Sequence, residues 1–562
     1  MADVKTSKQK RMAAKIAAAP LVTPPAGESG SALDRRPITG FGASGRRFIL
    51  HDNGRKPEVL DAIGQSLAEA PGLNVFVHAD QLKRLHVVKA SNTGGIRRPD
   101  GAVILRTLGP AHFTELATIA ADHKKHDARM HDDKPINCPH VAANDYLDRG
   151  YFPEQRRLDG FVEAPIILPS GRLLDKPGYD SGLFLAFGDI PGYSPPAAKP
   201  TRVEAERAMD DLLESVTTFC FEDWADRAAA LAAFITALLA RILPARPLIL
   251  VTAKAPGTGK TLLTDGFAVL ATGRPASVLS LGHDDAETEK RIVGALMAGD
   301  SAINFDNMER DLGGDVPCQM TTQSTLRLRP LGTSGLLSVP TNCFMAGTGN
   351  NIGARGDMKR RVVLIRLDAK QERPEHRKFS RNHLEYIAAN RGKLIRAALT
   401  ITLGYFAAGE PDVDIHPMGG FELWDRMVRR PLIWLGLSDS LAGSEELRGN
   451  DPDIEAHRQF MIECISIYKQ DAFTAADVVA DAMETQREPV SGKSTGIAIR
   501  PALRDAVRAA CRDKPGSTAM GYWLRAHRDR IIDGLRIERA GEDGTSKVTR
   551  WRVIPPPSKS TG

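Results

Sequence analysis

A glycine-rich segment, APGTGKTL at residues 255–262, combines residue types that together bind phosphate. Gly257 and Gly259 allow backbone N–H groups to turn toward phosphate oxygens, and a helix that begins here presents its positive end to them. Lys260 reaches the β- and γ-phosphates, and the Thr261 hydroxyl coordinates Mg²⁺. The predicted nucleotide-binding residues are Ala255, Pro256, Gly257, Thr258, Gly259, Lys260, Thr261 and Leu262.

An acidic residue at the end of a second apolar run supplies the other half of the expected metal site. Hydrolysis of ATP needs a carboxylate that holds Mg²⁺ through water and helps to orient the attacking water. The segment SAINFDNMER reaches Asp306 at the end of a strand, so Thr261 and Asp306 are the predicted Mg²⁺ residues. The next position usually carries a glutamate as catalytic base. Here it is Asn307, and Glu309 could contribute only if the turn brings it round.

A third apolar run, within TNCFMAGTGNN, leads to Asn350 and Asn351, where a polar side chain could sense a γ-phosphate. A few residues later, Arg360 and Arg361 precede a further apolar strand. They could form a solvated strand edge. In a ring-shaped ATPase, an arginine at this place neutralises transition-state charge on the neighbouring subunit's ATP. The predicted catalytic residues are Lys260, Asp306, Asn307, Asn350, Arg360 and Arg361.

A parallel α/β sheet is needed to bring these side chains together. Residues 248–253 have the pattern of a buried strand and residues 261–270 that of a helix, so the phosphate loop connects a strand to a helix. The strand–loop–helix series continues to about residue 368, which is typical of an α/β core. One position departs from the full phosphate-loop pattern, because this chain has Lys254 where that pattern has glycine.

The composition is that of an ordinary soluble globular protein. The 562 residues are 42% hydrophobic and 26% charged, which excludes collagen, a disulfide scaffold and a wholly disordered chain. The six cysteines lie far apart with no CxxC pair, so a reducing cytoplasm is expected. Lys+Arg 75 against Asp+Glu 69 give a formal charge of +6, which permits a nucleic-acid partner without demonstrating one. No apolar run is long enough to cross a membrane, so no membrane partner is expected.

Changes in composition and a Pro/Gly-rich linker at residues 190–200 divide the chain into domains. The predicted fold class is α/β, with a P-loop ATPase core, an α+β N-terminal domain and a C-terminal winged-helix domain. The predicted segments are a disordered basic tail (1–45), an N-terminal α+β domain for accessory, DNA-binding or partner-binding roles (46–200), the ATPase core with its leading helices (201–370), a helical lid and linker region (371–468) and a winged-helix DNA-binding domain (469–562).

The C-terminal stretch has helices followed by two short strands, 535–539 and 548–553, which is a winged-helix pattern. Arg525 and Arg528 lie on the predicted recognition helix, and Lys547 lies at the wing. We expect these three side chains to contact DNA phosphates. A winged helix that binds another protein is the alternative, because the fold does not dictate the partner.

These motifs, in this order, resemble those of AAA+ ATPases and more narrowly of the superfamily 3-like replicative helicases of phages, plasmids and mobile elements. APGTGKT resembles their Walker A motif, NFDNM their Walker B with Asp-Asn for Asp-Glu, GTGNN their sensor 1 and DMKRRVVLIRLD their arginine-finger segment. The resemblance implies that Asn350 is sensor 1 and that Arg360 or Arg361 acts on a neighbour's ATP. It also implies that Arg327 and Arg329 belong to a hairpin that grips DNA in the ring channel. The alternative is a surface hairpin with solvated arginines.

The resemblance implies an AAA+ core and an ATP-dependent DNA helicase of a phage or mobile element, with ATP and Mg²⁺ as cofactors. Its expected partners are single-stranded and forked DNA, other copies in a hexamer, and a primase or other replication proteins. Residues 46–200 present no convincing acidic pair for a primase of their own and no paired metal ligands, and the segment 420–439 resembles a helical lid. Two rivals stay open: a helicase loader or initiator that binds DNA and ATP without unwinding, and a non-enzymatic initiator, which Asn307 keeps in consideration.

Overall fold

The computed structural model describes residues 37–42, 45–282, 284–328, 337–371, 373–377, 379–449, 452–487, 494–511, 514–543 and 547–555. The strands are β1 (Thr39–Phe41), β2 (Arg47–Leu50), β3 (Phe76–His78), β4 (Gln81–Val88), β5 (Ser91–Thr93), β6 (Ile96–Arg98), β7 (Ala102–Thr107), β8 (Asp122–Asp127), β9 (Asp132–Ile136), β10 (Arg156–Arg157), β11 (Gly160–Val162), β12 (Ile166–Ile167), β13 (Leu173–Leu174), β14 (Gly178–Asp180), β15 (Leu183–Leu185), β16 (Leu248–Ala253), β17 (Ser277–Leu279), β18 (Ala302–Met308), β19 (Thr325–Leu328), β20 (Leu337–Pro340), β21 (Phe344–Asn350), β22 (Val362–Leu367), β23 (Phe473–Thr474), β24 (Thr485–Arg487), β25 (Ser494–Ala498), β26 (Ile531–Ile532), β27 (Leu535–Glu542) and β28 (Thr549–Ile554).

The helices are α1 (Lys56–Glu69), α2 (Pro110–Ala120), α3 (His140–Asp148), α4 (Arg202–Ser215), α5 (Trp224–Leu239), α6 (Lys260–Thr272), α7 (Asp285–Ala298), α8 (Asp315–Thr322), α9 (His383–Ala389), α10 (Arg391–Ala407), α11 (Glu422–Trp424), α12 (Arg430–Trp434), α13 (Ala442–Gly449), α14 (Pro452–Tyr468), α15 (Ala475–Met483), α16 (Pro501–Ala510) and α17 (Ser517–Ala526). A 3₁₀ turn at Gly356–Arg361 precedes β22, another lies at Pro374–His376, and a π-helical turn at Asp425–Arg429 joins α11 to α12.

The described residues form two compact units, one within 1–75 and 108–156 and one within 76–107 and 157–562. This division differs from the predicted N-terminal domain at 46–200, because the segments 76–107 and 157–200 belong to the unit that contains the glycine-rich loop. The difference has a simple origin. Strands β5 and β6 extend the sheet of the second unit, and such a long-range pairing leaves no local pattern in the sequence.

The first unit contains a four-stranded sheet in the order β1-β2-β8-β9 together with α1, α2 and α3. Strand β2 pairs antiparallel with β1 and parallel with β8, and its Ile49 is fully buried. The end of the predicted tail at residue 45 is wrong, since Thr39–Phe41 is a strand of this sheet. The remainder of that tail, residues 1–36, lies outside the described residues.

The second unit is built on a seven-stranded sheet in the order β22-β16-β21-β18-β17-β6-β5. The five strands from β22 to β17 are parallel, which confirms the predicted α/β core, and β6 and β5 add to the β17 edge in antiparallel pairing. After β16 the chain forms β17, β18 and β21, which all lie on one side of β16, and it then forms β22 on the other side of β16. Ligands of open α/β sheets bind at such a switch point, beside the carboxyl ends of the strands.

The core of this sheet follows from the apolar runs of its strands and helices. In β16 the residues Leu248–Val251 are almost fully inaccessible to solvent, as expected of a parallel strand covered on both faces. Helix α5 is mostly alanine, leucine, isoleucine and phenylalanine, and it is buried from Ala225 to its end at Leu239, except for Arg227. A reciprocal capping box between Asp223 and Asp226 fixes where α5 begins. No helix within the described ranges is long and apolar enough to span a membrane.

The C-terminal part combines α14–α17 with a four-stranded sheet in the order β23-β28-β27-β26. Phe460, Met461 and Cys464 of α14 pack in one buried cluster with Val507 and Trp551. The predicted boundary at residue 469 is therefore too late, because α14 supplies part of this core. Helices followed by a β27–β28 hairpin occur in the predicted order, and the DNA-binding role of this region stays a prediction.

Candidate nucleotide-binding site

The glycine-rich loop connects β16 to α6, as the sequence predicts, and starts at the carboxyl edge of the sheet. Gly257 and Gly259 have φ of +74° and +94°, a region that favours glycine. Both also face close neighbours. A Cβ on Gly259 would lie 3.1 Å from Cε1 of Phe219, and one on Gly257 would lie 3.1 Å from the backbone N of Glu375. The shape of the loop therefore requires glycine for two reasons: the positive φ angles, and the residues packed closely against the loop.

Lys260, the first residue of α6, bonds across the sheet edge to the end of β21. Its Nζ donates to Oδ1 of Asn350 at 2.6 Å, so the two predicted residues are brought together. Burial lowers the pKa of Lys260, while the negative charge of Asp306 opposes that shift. The ammonium is thus held beside the loop by an amide oxygen, a neutral partner that a phosphate oxygen can replace or share.

Thr261 and Asp306, the predicted Mg²⁺ residues, are in direct contact. The Thr261 hydroxyl donates to Oδ1 of Asp306 at 2.9 Å. The Thr348 hydroxyl of β21 reaches the same oxygen at 2.7 Å. Hydroxyl and carboxylate oxygens are ligands that Mg²⁺ prefers. The structure thus brings the phosphate loop and the Walker B-like strand together with hard oxygen donors at their junction.

Asn307 has φ of +50°, a left-handed conformation that asparagine tolerates better than most residues. It lies where β18 changes register against β21: Phe305 pairs with Gly347 and Met308 with Gly349. Two residues of β18, Asp306 and Asn307, therefore stand opposite one residue of β21. A bulge of this kind re-aims side chains beside active sites. Asn307 is exposed at this bulge. Glu309 is also exposed and follows Met308, the last residue of β18.

One buried polar atom inside the loop is available to a ligand. The Thr258 hydroxyl is buried and has no hydrogen-bond partner within the described part of the chain. A buried hydroxyl without a partner costs free energy, which a phosphate oxygen or its bound water would remove. Together with two glycines in left-handed conformations and an ammonium beside them, the residues present fit a nucleoside triphosphate with Mg²⁺.

Lys254, which replaces the expected glycine, lies outside this arrangement. Its Nζ forms ion pairs with Asp368 at 3.0 Å and Glu222 at 3.4 Å, and its side chain is 64% exposed. A lysine is tolerated here because its stem extends over the surface beside β22. Of the remaining predicted loop residues, Pro256 is exposed, Ala255 is half-buried and Leu262 packs on the core beneath α6.

The two candidate arginine fingers differ in their surroundings. The Arg360 side chain is 54% exposed and pairs with Asp357. The Arg361 side chain is only 12% exposed and donates to the Thr322 hydroxyl at 2.6 Å and the Cys318 carbonyl at 2.9 Å, besides Asp357. Arg361 is therefore engaged by groups of its own chain, whereas the Arg360 side chain is largely exposed.

The predicted DNA contacts lie in two places. Arg327 is exposed on β19, which pairs antiparallel with β20 in a hairpin; Arg329 lies outside the described residues. On α17 the Arg525 guanidinium lies 4.7 Å from the ring centroid of Tyr522, an exposed residue. Arg528 lies beyond the end of α17 at Ala526, so its predicted place on the recognition helix is wrong, and it pairs with its neighbour Asp529. Lys547 lies beside the β27–β28 turn. All four described side chains are exposed, and their contact with DNA stays a prediction.

Sequence reasoning missed several residues that shape the site. Phe219 and Glu375 approach the loop from segments far away in sequence, and Thr348 stands opposite the bulge. Asp265, one turn after Thr261 on α6, has its pKa raised to about 6 by burial, and the nearby Asp306 charge adds to the shift. Only Thr348 carried a local signal, since it lies two residues before Asn350 on the same strand.

No family model matches the sequence, and no curated protein matches it. Among solved structures, the apo A form of the NrS-1 C-terminal region is 11% identical, over 85% of this chain and 96% of that chain, with a TM-score of 0.32. The structure of SCCmec type IV Cch, named as an active helicase, is 11% identical over 86% and 97%, also at 0.32. A JCV helicase is 14% identical over 44% and 72%, at 0.18. TM-scores this low carry no argument about this chain.

Proposed function

We propose that this protein is an ATP-hydrolysing DNA helicase that works at the subunit interfaces of a ring. The observation that carries the proposal is the junction of three strand ends. There, Lys260 bonds to Asn350 and Thr261 bonds to Asp306, while a buried Thr258 hydroxyl is left without a partner among the described residues. Phosphate-binding and metal-binding groups from different parts of the chain thus meet at the switch point of the sheet.

In this proposal each residue has a defined role. Lys260 and the loop N–H groups bind the β- and γ-phosphates of ATP, and Asn350 orients the γ-phosphate or the attacking water. Thr261 and Asp306 hold Mg²⁺, which when bound neutralises charge on the phosphates. Asn307 offers an amide and no base, so it positions water rather than removing its proton.

The roles of the other predicted residues are assigned from the exposure of their side chains. Arg360 acts on ATP bound to the neighbouring subunit, since it is the accessible arginine of the pair. Arg327 on the β19–β20 hairpin contacts the backbone of DNA in the channel, which makes translocation independent of sequence. Arg525, Arg528 and Lys547 add a second DNA contact. A hexamer, a partner primase and a phage or mobile-element origin complete the proposal on the resemblance alone.

The test is DNA-stimulated ATP hydrolysis by the full chain and two lysine variants. Lys260→Ala removes the phosphate contact, and we expect hydrolysis to fall by a factor of about 100 or more. The matched control is Lys254→Ala, which removes a lysine from the same loop and breaks only exposed ion pairs, so we expect a change within about twofold. Equal activity of Lys260→Ala and the wild type would contradict the site. Hydrolysis without strand displacement would favour the loader instead.

A further inference from the structure

The Thr348 hydroxyl lies between β18 and β21, the two strands that carry Asp306, Asn307 and Asn350. It donates to Oδ1 of Asp306 at 2.7 Å and accepts the backbone N–H of Asn307 at 3.2 Å. The residue is 1% exposed, so water does not compete for these bonds. One hydroxyl therefore binds both residues of the β18 bulge, on the side chain of one and the backbone of the other.

The geometry of the bulge explains why that position matters. With Phe305 paired to Gly347 and Met308 to Gly349, Thr348 is the single residue of β21 opposite the two bulged residues. A bulged segment lacks regular ladder bonds, so its orientation depends on whichever side chain satisfies it. Here the Thr348 hydroxyl accepts the backbone N–H of Asn307, a bulged residue that lies outside the regular ladder pairs.

The orientation of the Asp306 carboxylate follows from the same bond. Two hydroxyls, from Thr261 and Thr348, donate to Oδ1, while Oδ2 has no hydrogen-bond partner among the residues described. Two donors on one oxygen fix the rotation of the carboxylate plane. Oδ2 is consequently the oxygen presented for a metal ion or its bound water. Removal of the Thr348 hydroxyl would leave Asp306 free to rotate about a single remaining donor.

We propose that Thr348 is a positioning residue that holds the β18 bulge so that Asp306 presents one oxygen to Mg²⁺ and Asn307 stays in its left-handed conformation. The inference rests on the proposed ATPase site. Because Thr348 shares β21 with Asn350, which bonds Lys260, the hydroxyl also connects the metal side of the site to its phosphate side. It touches neither nucleotide nor metal and acts through Asp306 and Asn307.

Two matched pairs of variants isolate the hydroxyl. Thr348→Val exchanges the hydroxyl for a methyl group at nearly constant volume. Thr348→Ala and Thr348→Ser both lack the methyl group and differ only in the hydroxyl. The first pair is therefore the wild type with Thr348→Val, and the second is Thr348→Ala with Thr348→Ser. If Thr348→Val does not fold, the second pair still compares a site with the hydroxyl to one without it. Thermal unfolding of each variant without ligand measures the purely structural effect.

The readout is the Mg²⁺ concentration that gives half-maximal ATP hydrolysis, with binding of a fluorescent ATP analogue in EDTA measured beside it. We expect Thr348→Val and Thr348→Ala to raise that Mg²⁺ concentration about tenfold or more, as the loss of a hydrogen bond to a carboxylate implies, and to lower kcat. Metal-free nucleotide binding should be unchanged, because Lys260 and the loop are untouched. Thr348→Ser should keep the wild-type Mg²⁺ dependence to within about threefold.

Two results would overturn the inference: a wild-type Mg²⁺ dependence in Thr348→Ala, or equal defects in the serine and alanine variants. The second result would mean that packing of the methyl group, and not the hydroxyl, is what matters. Failure of the proposed function looks different, since the wild-type protein itself would then hydrolyse no ATP at any Mg²⁺ concentration. That outcome would also remove the basis of the Thr348 assignment.

Discussion

Replacement of Arg360 by alanine tests whether the ATP sites are shared between subunits. Its side chain is 54% exposed and pairs with Asp357, which is itself 47% exposed, so the substitution should cost at most about 1 kcal/mol of stability. An arginine that stabilises transition-state charge contributes a factor of about 10³–10⁵ to the rate. We therefore expect a folded, ATP-binding protein with almost no hydrolysis.

Arg361→Ala provides the contrast within the same turn. The Arg361 side chain is 12% exposed and donates to Thr322 and Cys318 inside its own subunit. Its removal takes these hydrogen bonds from a part-buried site, although the Cys318 carbonyl keeps a bond from the Thr321 hydroxyl, and should destabilise the protein by about 1–3 kcal/mol. The free energy of unfolding in urea separates the two variants: Arg361→Ala lowers it clearly and Arg360→Ala barely changes it.

The decisive assay mixes two inactive proteins. Lys260→Ala subunits cannot use their own ATP but still present Arg360 to a neighbour, while Arg360→Ala subunits have an intact phosphate loop. Mixed in equal amounts, they should form interfaces in which both groups are present, and DNA-stimulated hydrolysis should return in part. No recovery, in mixtures shown to contain joint assemblies, would refute the assignment of Arg360 to a neighbour's site.

Three further predictions follow from the geometry. Gly259→Ala places a Cβ 3.1 Å from Phe219 at φ of +94°, so it should cost about 1–2 kcal/mol and weaken nucleotide binding, measured by thermal unfolding with and without ATP. The pKa of Asp265 is raised to about 6, so the folded state keeps its proton longer than the unfolded state, and stability falls as pH rises from about 4 to about 6. In measurements of the free energy of unfolding against pH, Asp265→Asn should reduce this decline by up to about 3 kcal/mol. An unchanged slope in the variant would contradict the prediction. Arg327→Ala should weaken DNA binding equally for all sequences and reduce its salt dependence, while basal ATP hydrolysis without DNA stays normal.

The elements that local sequence pattern determines were predicted well. The apolar run of β16, the glycines after it and the helix that starts at Lys260 are neighbours in sequence, so their chemistry and their structure share one signal. The strand that carries Asp306 was found for the same reason, but its predicted end is wrong, because the strand continues through the bulge to Met308. The glycine-rich loop and Asp306, the predicted Mg²⁺ carboxylate, could therefore be placed together from the sequence, because parallel strands end at one edge of the sheet.

The parts that depend on distant pairing were missed. Strands β5 and β6 join the sheet of the second unit from about 180 residues upstream of β17, and nothing in their short sequences indicates that partner. Likewise α14 belongs to the C-terminal core through contacts of Phe460 with residues far along the chain. The bulge opposite Thr348 arises from a register shift between two strands, which neither strand encodes alone.

The central claim is that ATP hydrolysis at the Lys260–Asp306 site drives the separation of DNA strands. The most direct measurement is displacement of a labelled strand from forked DNA by the full chain with ATP and Mg²⁺, with Lys260→Ala and Lys254→Ala measured beside it. The account predicts displacement by the wild type and by Lys254→Ala, and none by Lys260→Ala or without ATP. Absence of displacement by a wild-type protein that hydrolyses ATP in the presence of the same DNA would contradict it.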